Sequence, residues 1–540
     1  MTGAGPGSPA ETTAPGRLLR SSAVVGVGTA LSRITGFLRV AAIAYALGGG
    51  VVAGVYSYAS QTPAMLYELL LGGVLTATLV PLFVRHYEQH DDDATSAIFT
   101  VSAVALLALT VIGVAIAPWI VDLYTLRVSG ADRAAQQELA TELLRLFMPL
   151  VFFYGMVALA SALLNARRRF AAAALAPILN NVVVIAMFLA LPRITDERLT
   201  LENVRDDTTL VLLLGLGTTA GIAAVALALV PAVVRAGARM RFLLDVRHAA
   251  VATMARLSGW TVGYVIANQV ALWVVLVLAN GIDGGPFLYL SAYAFFQLPH
   301  GLLAVSLMTT IAPEMASAAG RADFAALRER LSFGLRLTIL VVLPSAAVFV
   351  GLARPIVVAL LERGAFTGAD SAVVADAIVA FAVGLVPFSV YLFSLRAFYS
   401  LPDTRTPFLL NCLENGVNIA LAIPLYAWLE IPGLALAFSG AYAVGAVVTL
   451  VVLRRRIGGI DGRRIGDMAV RVLAAGLAVA VATWAISRGL GGDGALRAAA
   501  TTSVGLVAAA ILYLGGLAVL RVPELGMLRA VLPGRRTPSM

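Results

Sequence analysis

Two arginines lie inside the first apolar stretch of the chain, where a charged side chain needs a specific reason to be. Residues 21–46 are mostly small and apolar, yet they include Arg33 and Arg39. An arginine near the centre of a membrane helix costs about 2.5–3.5 kcal/mol on insertion scales, so it normally faces a polar cavity, a partner or a ligand. Six residues of helix give about 600° of rotation and about 9 Å of rise. That spacing suits the two ends of one anionic group, or two neighbouring anionic groups.

A structural explanation of these two arginines stays open. Long basic side chains can extend to the membrane surface, and they can also pair with an acid on another helix. Arg33 and Arg39 both lie well inside the apolar run, which favours a polar cavity.

The composition places the whole chain in a membrane. Of its 540 residues, 60% are apolar and only 13% are charged, which exceeds what a soluble domain buries. A helix needs about 20 apolar residues to cross a bilayer, and polar or turn-rich points divide the chain into about fourteen such segments. We therefore predict an all-α, polytopic membrane protein. The predicted spans are 21–46, 51–86, 94–121, 137–166, 171–191, 208–234, 255–280, 286–316, 330–352, 371–400, 405–429, 431–455, 466–489 and 496–521.

The net charge of +9 is a topology signal. The arginines lie in short links between spans and not on a basic face with aromatic residues, so no nucleic-acid partner is expected. The even-numbered links are rich in arginine, as at 167–169 and 454–456, whereas odd-numbered links such as 192–207 are nearly neutral or acidic. Basic links remain in the cytoplasm. Both chain termini are therefore predicted to be cytoplasmic.

An internal repeat divides the chain into two halves. Gln61-Thr62-Pro63 is similar to Gln297-Leu298-Pro299, and residues 181–186 are similar to residues 415–420, at offsets of 236 and 234 residues. This near-constant offset predicts two pseudo-symmetric six-helix lobes of the same orientation. The predicted domains are a disordered cytoplasmic tail at 1–20, an N-lobe at 21–236, a C-lobe at 255–456, two further helices at 464–521 and a cytoplasmic tail at 522–540.

The sequence contains no pattern typical of an enzyme. Its four histidines form no HExxH motif, and no glycine-rich nucleotide motif follows a strand. Cys412 is the only cysteine, so an internal disulfide or a thiolate metal site is excluded. We expect a transporter with no catalytic residues, no metal centre and no bound cofactor.

Four motifs carry a resemblance to a known family. They are Leu31-Ser32-Arg33-Ile34-Thr35-Gly36-Phe37-Leu38-Arg39, residues 163–181 with Arg169-Phe170 and Asn180-Asn181, Phe296-Gln297-Leu298-Pro299-His300-Gly301, and residues 396–407 from Arg396 to Pro407. In this order they resemble the MurJ (MviN) lipid II flippases of the multidrug/oligosaccharidyl-lipid/polysaccharide exporter superfamily. The resemblance implies fourteen helices, with two lobes around a cationic cavity and a lipid groove formed by the helices at 464–521.

The resemblance also implies a function and a location. Such a protein flips lipid II, the undecaprenyl-pyrophosphate-linked peptidoglycan precursor, across the bacterial inner membrane by alternating access. Its partners would be that lipid, the bilayer, and proteins of cell-wall synthesis and division.

The candidate substrate-binding residues follow from the same resemblance. Arg33 and Arg39 match the first-helix arginines that the family associates with the pyrophosphate. This chain departs from the family at Ala294, where many members have arginine, and at Gly54, where an acid is expected. The candidate substitutes are Arg396, Glu68 and His300. Each has a structural alternative: Arg396 could extend to the membrane surface, for example, and Glu68 could neutralise a first-helix arginine.

Glu414 and Asn418 are the candidate ion-binding residues. Some family members have a sodium site between the seventh and eleventh helices, and Asn418 matches one ligand position. The nearby acid is absent, and Glu414, one turn earlier, is the candidate replacement, although it could instead pair with an arginine. Transport is expected to be coupled to the membrane potential or to a sodium or proton gradient.

Two other transport functions stay open. One is a flippase for another lipid-linked oligosaccharide, and the other is a drug or cation antiporter of the same superfamily. An organic-cation antiporter should have carboxylates and aromatic residues in its cavity, whereas most of the charges within the spans of this chain are arginines. A membrane scaffold that transports nothing would not need such arginines.

The predicted topology can be tested by cysteine labelling. In a Cys412→Ser background, Arg167→Cys and Thr200→Cys place single thiols in a predicted cytoplasmic link and a predicted external link. An impermeant thiol reagent applied to intact cells should modify only the thiol at residue 200. Labelling at both sites, or at residue 167 alone, would contradict the topology.

Overall fold

The computed structural model is helical wherever it assigns a regular element. It describes residues 15–69, 79–89, 91–130, 132–195, 199–237, 240–248, 251, 259–401, 403–492 and 494–526. Within these ranges every regular element is a helix, and twelve helices are long and apolar enough to cross a membrane. The prediction of an all-α, polytopic membrane protein is confirmed.

The helices follow the order of the predicted spans. The N-lobe contains α1 (Pro15–Leu47), α2 (Val51–Tyr67), α3 (Val80–Glu88), α4 (Asp92–Tyr124), α5 (Asp132–Phe147), α6 (Pro149–Ala166), α7 (Phe170–Ile194), α8 (Leu201–Asp206) and α9 (Thr208–Arg235). The C-lobe contains α10 (Gly259–Ala279), α11 (Gly285–Pro299), a π-helical turn (His300–Ala304), α12 (Val305–Gly320), α13 (Phe324–Leu360), α14 (Gly368–Ser400) and α15 (Arg405–Arg456). The last two helices are α16 (Gly462–Leu490) and α17 (Ala495–Val519).

Dividing one long helix and adding the predicted span 51–86 raises the count from the twelve candidate helices to the predicted number of about fourteen spans. Glu430 has φ 54° and ψ −128°, so α15 is two helices joined at a sharp bend. The sequence analysis predicts that break between 405–429 and 431–455. Helices α2 and α3 lie at the two ends of the predicted span 51–86, whose residues 70–78 are outside the described ranges.

Prolines lie where the regular α-helical hydrogen bonding of two spans is interrupted. Pro149 begins α6 directly after a break at Met148, and Pro299 precedes the π-helical turn. Proline lacks a backbone N–H and its ring collides with the preceding turn, so regular hydrogen bonding is interrupted. In the eighth span this interruption places Gly301 at the surface that faces the N-lobe.

The helix boundaries differ from the prediction mainly at the ends. Helix α13 extends beyond the predicted 330–352 in both directions. Residues 15–20, predicted as part of a disordered tail, are the first turns of α1, and residues 1–14 lie outside the described ranges. Apolar composition marks the membrane-crossing part of a helix, but helical hydrogen bonding continues past it wherever the backbone allows.

The last two helices pack against the C-lobe. Both α16 and α17 lie along α13, and the Tyr513 hydroxyl donates a hydrogen bond to the Leu340 carbonyl. Beyond α17, Glu524 forms a buried ion pair with Arg336 of α13. The predicted tail at 522–540 therefore begins with a docked segment, and its residues 527–540 lie outside the described ranges.

The two lobes meet at the end of the molecule where α1 and α10 finish, which we call the closed end. The Ala365 N–H donates to the Tyr45 carbonyl at 2.9 Å, and the Asn280 side-chain amide donates to the Tyr124 carbonyl at 3.1 Å. Gly284 has φ +67°, and a Cβ there would lie 1.7 Å from the Gly49 carbonyl oxygen. Only glycine can occupy residue 284 in this contact.

The same contact accounts for Gly54, where the family resemblance predicted an acid. A Cβ added at Gly54 would lie 3.1 Å from the Cα of Gly284, so the two helices approach at backbone distance. A carboxylate side chain has no room there. At residue 54, the acid expected from the family resemblance is therefore replaced by a glycine that allows the two lobes to pack closely.

Candidate functional site

Arg33 lies at the seam where α1 of the N-lobe meets the C-lobe. Its guanidinium covers Gly301: a Cβ added to that glycine would lie 3.0 Å from Arg33 Cζ and 3.1 Å from Nη1. One turn further along α1, the rings of Phe37 and Phe295 make an edge contact with centroids 4.7 Å apart. The missing side chain at residue 301 therefore provides the space that Arg33 occupies.

Arg39 points in a different direction, into the N-lobe. It interacts electrostatically with Tyr56 and Tyr154, and its Nε is buried with no hydrogen-bond partner among the described residues. The Tyr56 and Thr218 hydroxyls are 2.7 Å apart and hydrogen bonded. Arg33 and Arg39 thus face opposite lobes from the same helix, and both have donor capacity for an anion.

Helix α7 supports α1 on its other side. The Asn181 side-chain amide donates to the Thr35 hydroxyl at 2.9 Å and to the Ser32 carbonyl at 3.3 Å. Because α1 packs along α7, its arginines move with the N-lobe.

His300 is close enough to Arg33 to interact with it electrostatically, whereas Arg396 lies apart from both arginines. His300 is buried in the C-lobe, with Nδ1 2.9 Å from the Ser389 hydroxyl and its ring centroid 4.5 Å from that of Phe388. Arg396 is exposed and lines a separate cavity of about 390 Å³ between α12 and α14, together with Thr309 and Tyr399. The structure therefore does not bring His300, Arg396 and the α1 arginines together in one cavity.

Glu68 belongs to a second polar site. It accepts a hydrogen bond from the Gln269 side chain of α10, and it lines a cavity of about 420 Å³ that also contains Glu414 and Asn418. Its hydrogen-bond partner is therefore in the C-lobe. Aromatic side chains form much of the wall, namely Tyr264, Tyr289, Tyr293, Phe388, Phe438 and Tyr442.

The deepest part of this cavity has acceptor oxygens without donors. Glu414 is 1% exposed and its Oε2 has no hydrogen-bond partner in the described part of the chain, and Asn418 Oδ1 also has none there. Burying such groups unpaired is costly. Asn268 Oδ1 already accepts from the amides of Asn411 and Asn415, each at 3.0 Å. Carboxylate and amide oxygens that accept no hydrogen bond are the kind of ligands that a hard cation prefers.

Sequence reasoning found only part of this polar site. The sequence analysis named Glu414 and Asn418 and missed Asn411 and Asn415. All four follow the i, i+3, i+4, i+7 spacing of one helix face, so that pattern could have identified the two missed residues. Gln269 of α10 gave no comparable signal.

Among the described residues no group of three His, Cys, Asp or Glu side chains could hold a metal, so amide oxygens would have to complete any cation shell.

Fold and site together define a polytopic membrane transporter with two helical lobes, in which Arg33 lies at the seam, Arg39 points into the N-lobe, and a polar cavity is formed mainly by the C-lobe. The family model for "Lipid II flippase MurJ" matches residues 43–496. The chain belongs to this family.

Individual relatives agree with the family assignment. The chain is 28% identical to a probable lipid II flippase MurJ of Rhizobium meliloti, over 92% of each protein. It is also 28% identical to the lipid II flippase MurJ of Burkholderia cenocepacia, over 81% of this chain and 84% of that one.

Solved structures show the same fold. A lipid II flippase MurJ in an inward closed conformation matches with a TM-score of 0.73 at 20% identity, over 92% of this chain and 100% of that one. A multidrug resistance MATE transporter of the MOP superfamily, in an inward-facing conformation, matches with a TM-score of 0.64 at 14% identity, over 78% of this chain and 94% of that one.

The contact between Arg33 and Gly301 predicts a matched pair of glycine variants. Gly301→Val should displace the Arg33 guanidinium and lower complementation of a depleted strain at least tenfold, with normal protein level in the membrane. Gly515→Val is the control, because nothing lies within 4 Å of a Cβ there, and it should complement fully. Full complementation by Gly301→Val would mean that transport does not depend on Arg33 at the seam.

Proposed function

We propose that this protein flips lipid II, a lipid-linked peptidoglycan precursor, from the inner to the outer leaflet of the bacterial cytoplasmic membrane. The observation that carries the proposal is Arg33 at the seam between the lobes of a chain in the lipid II flippase family. A pyrophosphate accepts several charge-assisted hydrogen bonds, and the guanidinium presents its donors as a planar fork. Proteins of cell-wall synthesis and division are the proposed partners.

Arg33 and Arg39 hold the pyrophosphate from two sides in this proposal. Arg33 would reach it from the seam, and the unpartnered Nε of Arg39 would take a second oxygen within the N-lobe. With both termini in the cytoplasm, the closed end faces outward. The conformation described above is then a state that binds substrate from the inside.

The isoprenoid tail would remain in lipid beside α16 and α17 while the headgroup crosses. Leaving apolar surface against water and arginines would forfeit about 25 cal/mol per Å². The exposed face of α16, with Leu477, Val481 and Trp484, is available to such a tail. Gly476 is on the other side, where a Cβ would lie 2.8 Å from Leu343, so its role is to let α16 pack closely on α13.

We further propose that the C-lobe cavity binds the sodium ion that drives transport. Glu414 and Asn418 would be ligands, because their free oxygens are buried and have no donors. The ion would contribute charge neutralisation, and the side chains would contribute its oxygen shell.

One observation favours a second candidate function, transport of an organic cation. The C-lobe cavity combines Glu414 and Glu68 with six aromatic residues, and aromatic faces attract such cations. This is the feature that the sequence analysis required of an antiporter. The arginines at the seam have no role in that function, which is why we place it second.

The lipid II proposal predicts specific losses on mutation. In cells depleted of the wild-type protein, Arg33→Ala and Arg39→Ala should each abolish complementation at normal protein level. Lysine should restore only part of it, because it keeps the charge and loses the fork. Mass spectrometry of the lipids should show lipid II accumulating on the inner leaflet. Accumulation of another lipid-linked sugar would overturn the substrate assignment, and full activity of both alanine variants would overturn the role of the arginines.

The cation proposal predicts a sodium-specific stabilisation of the purified protein. Thermal unfolding should shift upward in NaCl relative to KCl at equal ionic strength, since a ligand at one hundred times its Kd stabilises by about 2.7 kcal/mol. Glu414→Gln should remove this shift, whereas Glu314→Gln, in an exposed ion pair with Arg330, should retain it. A response to pH alone would assign the site to protons. A response to tetramethylammonium would favour the antiporter.

A further inference from the structure

The C-lobe cavity is not built by the C-lobe alone. Its wall comes from α10, α11, α14 and α15, except for Gln61 and Glu68, which belong to the N-lobe. Gln269, the hydrogen-bond donor to Glu68, is itself only 8% exposed. One carboxylate from each lobe therefore lines the cavity, namely the buried Glu414 of the C-lobe and the exposed Glu68 of the N-lobe.

We infer that the cation site is shared between the lobes, with Glu68 as its second carboxylate, so that a bound cation holds the N-lobe against the C-lobe. This inference rests on the cation coupling proposed above. It adds Glu68 as a ligand, places the site at the interface between the lobes, and specifies that the bound cation stabilises the conformation in which the lobes are together.

The first argument is electrostatic. Both carboxylates line one cavity, and a cation bound between them would be attracted to each. Tyr293 lines the same cavity as Glu68 and Glu414. In this conformation the cavity has a charge of −2 when both groups are ionised, which attracts a cation more strongly than Glu414 alone.

The second argument is that Glu68 moves with the N-lobe. Alternating access requires the lobes to change their relative positions, and any such change at the seam carries Glu68 away from Glu414 and Gln269. The affinity for the cation then falls, because one of its two charges has left. By linkage, a cation that binds this conformation more tightly also stabilises it. Release of the cation would therefore free the lobes to rearrange.

Tyr293 also connects the cation site with the substrate site. Its hydroxyl accepts a hydrogen bond from Gln297 and interacts electrostatically with Arg33 as well as with the two carboxylates. Helix α11, which carries Tyr293, also carries Phe295 of the seam. Helix α11 therefore lines the cation cavity through Tyr293 and contacts α1 through Phe295 and Phe37.

A purely structural role for Glu68 would be the hydrogen bond to Gln269 alone. Glu68→Gln separates the two roles, because the amide oxygen can still accept that hydrogen bond while the charge is lost. Gln61→Glu is the complementary variant, since it adds a carboxylate to the same cavity from the same helix. It should restore part of the sodium affinity in the Glu68→Gln background.

The experiment measures sodium binding and lobe separation on the same protein. Spin labels on Leu175→Cys and Leu409→Cys, both exposed and one in each lobe, report the distance between the ends of α7 and α15 in a Cys412→Ser background. NaCl then replaces KCl stepwise at constant ionic strength. Rising NaCl should shift the distribution of label-to-label distances toward the single population in which the lobes hold the conformation described above. Glu68→Gln should raise the sodium concentration at half-shift about tenfold, the size expected of one charge within about 10 Å at an effective dielectric near 20.

The outcomes separate this inference from the proposal on which it rests. If the unmutated protein shows no sodium response in distance or thermal stability, the cation coupling itself is wrong. If it responds to sodium and Glu68→Gln responds at the same concentration, the site lies wholly in the C-lobe and the shared site is refuted. A tenfold loss with partial recovery by Gln61→Glu supports it.

Discussion

The structure depends on how charged groups are accommodated inside an apolar protein in an apolar membrane. A guanidinium or carboxylate that leaves water loses several kcal/mol unless it finds a partner. Arg33 is placed at the seam and lies on Gly301 of the other lobe. Arg39 and Glu414 keep polar atoms that no described residue satisfies. In each case the missing partner is an opportunity for a ligand of opposite charge.

The two kinds of charge are kept in different places. The arginines of α1, the proposed anion ligands, belong to the N-lobe, whereas the oxygen-rich cavity, the proposed cation site, lies mostly in the C-lobe. Direct pairing between Arg33 and Glu414 would neutralise both and leave neither for a ligand. Arg33 is not among the residues that line the cavity of Glu414.

Close backbone contact at the closed end holds the lobes in one arrangement. Gly54 against Gly284 and the hydrogen bond from Ala365 to Tyr45 bring the lobes to distances that side chains would prevent. Such contacts depend on close approach of the two backbones, so they are lost when the lobes separate. Long apolar contacts, such as α16 and α17 along α13, are the parts of the molecule that should remain fixed.

The sequence by itself determined the all-α membrane fold, about fourteen spans and the break at residue 430. These features depend on composition, helix length and local motif, which are properties of a single segment. Only the tertiary structure decided that Arg33 faces Gly301 of the C-lobe and that Arg39 points into the N-lobe. It also decided that Glu68 lines the same cavity as Glu414 and does not pair with the arginines. Each of those pairings joins residues far apart in the chain. Helical periodicity gives the direction of a side chain on its own helix, but only packing decides which other helix it meets.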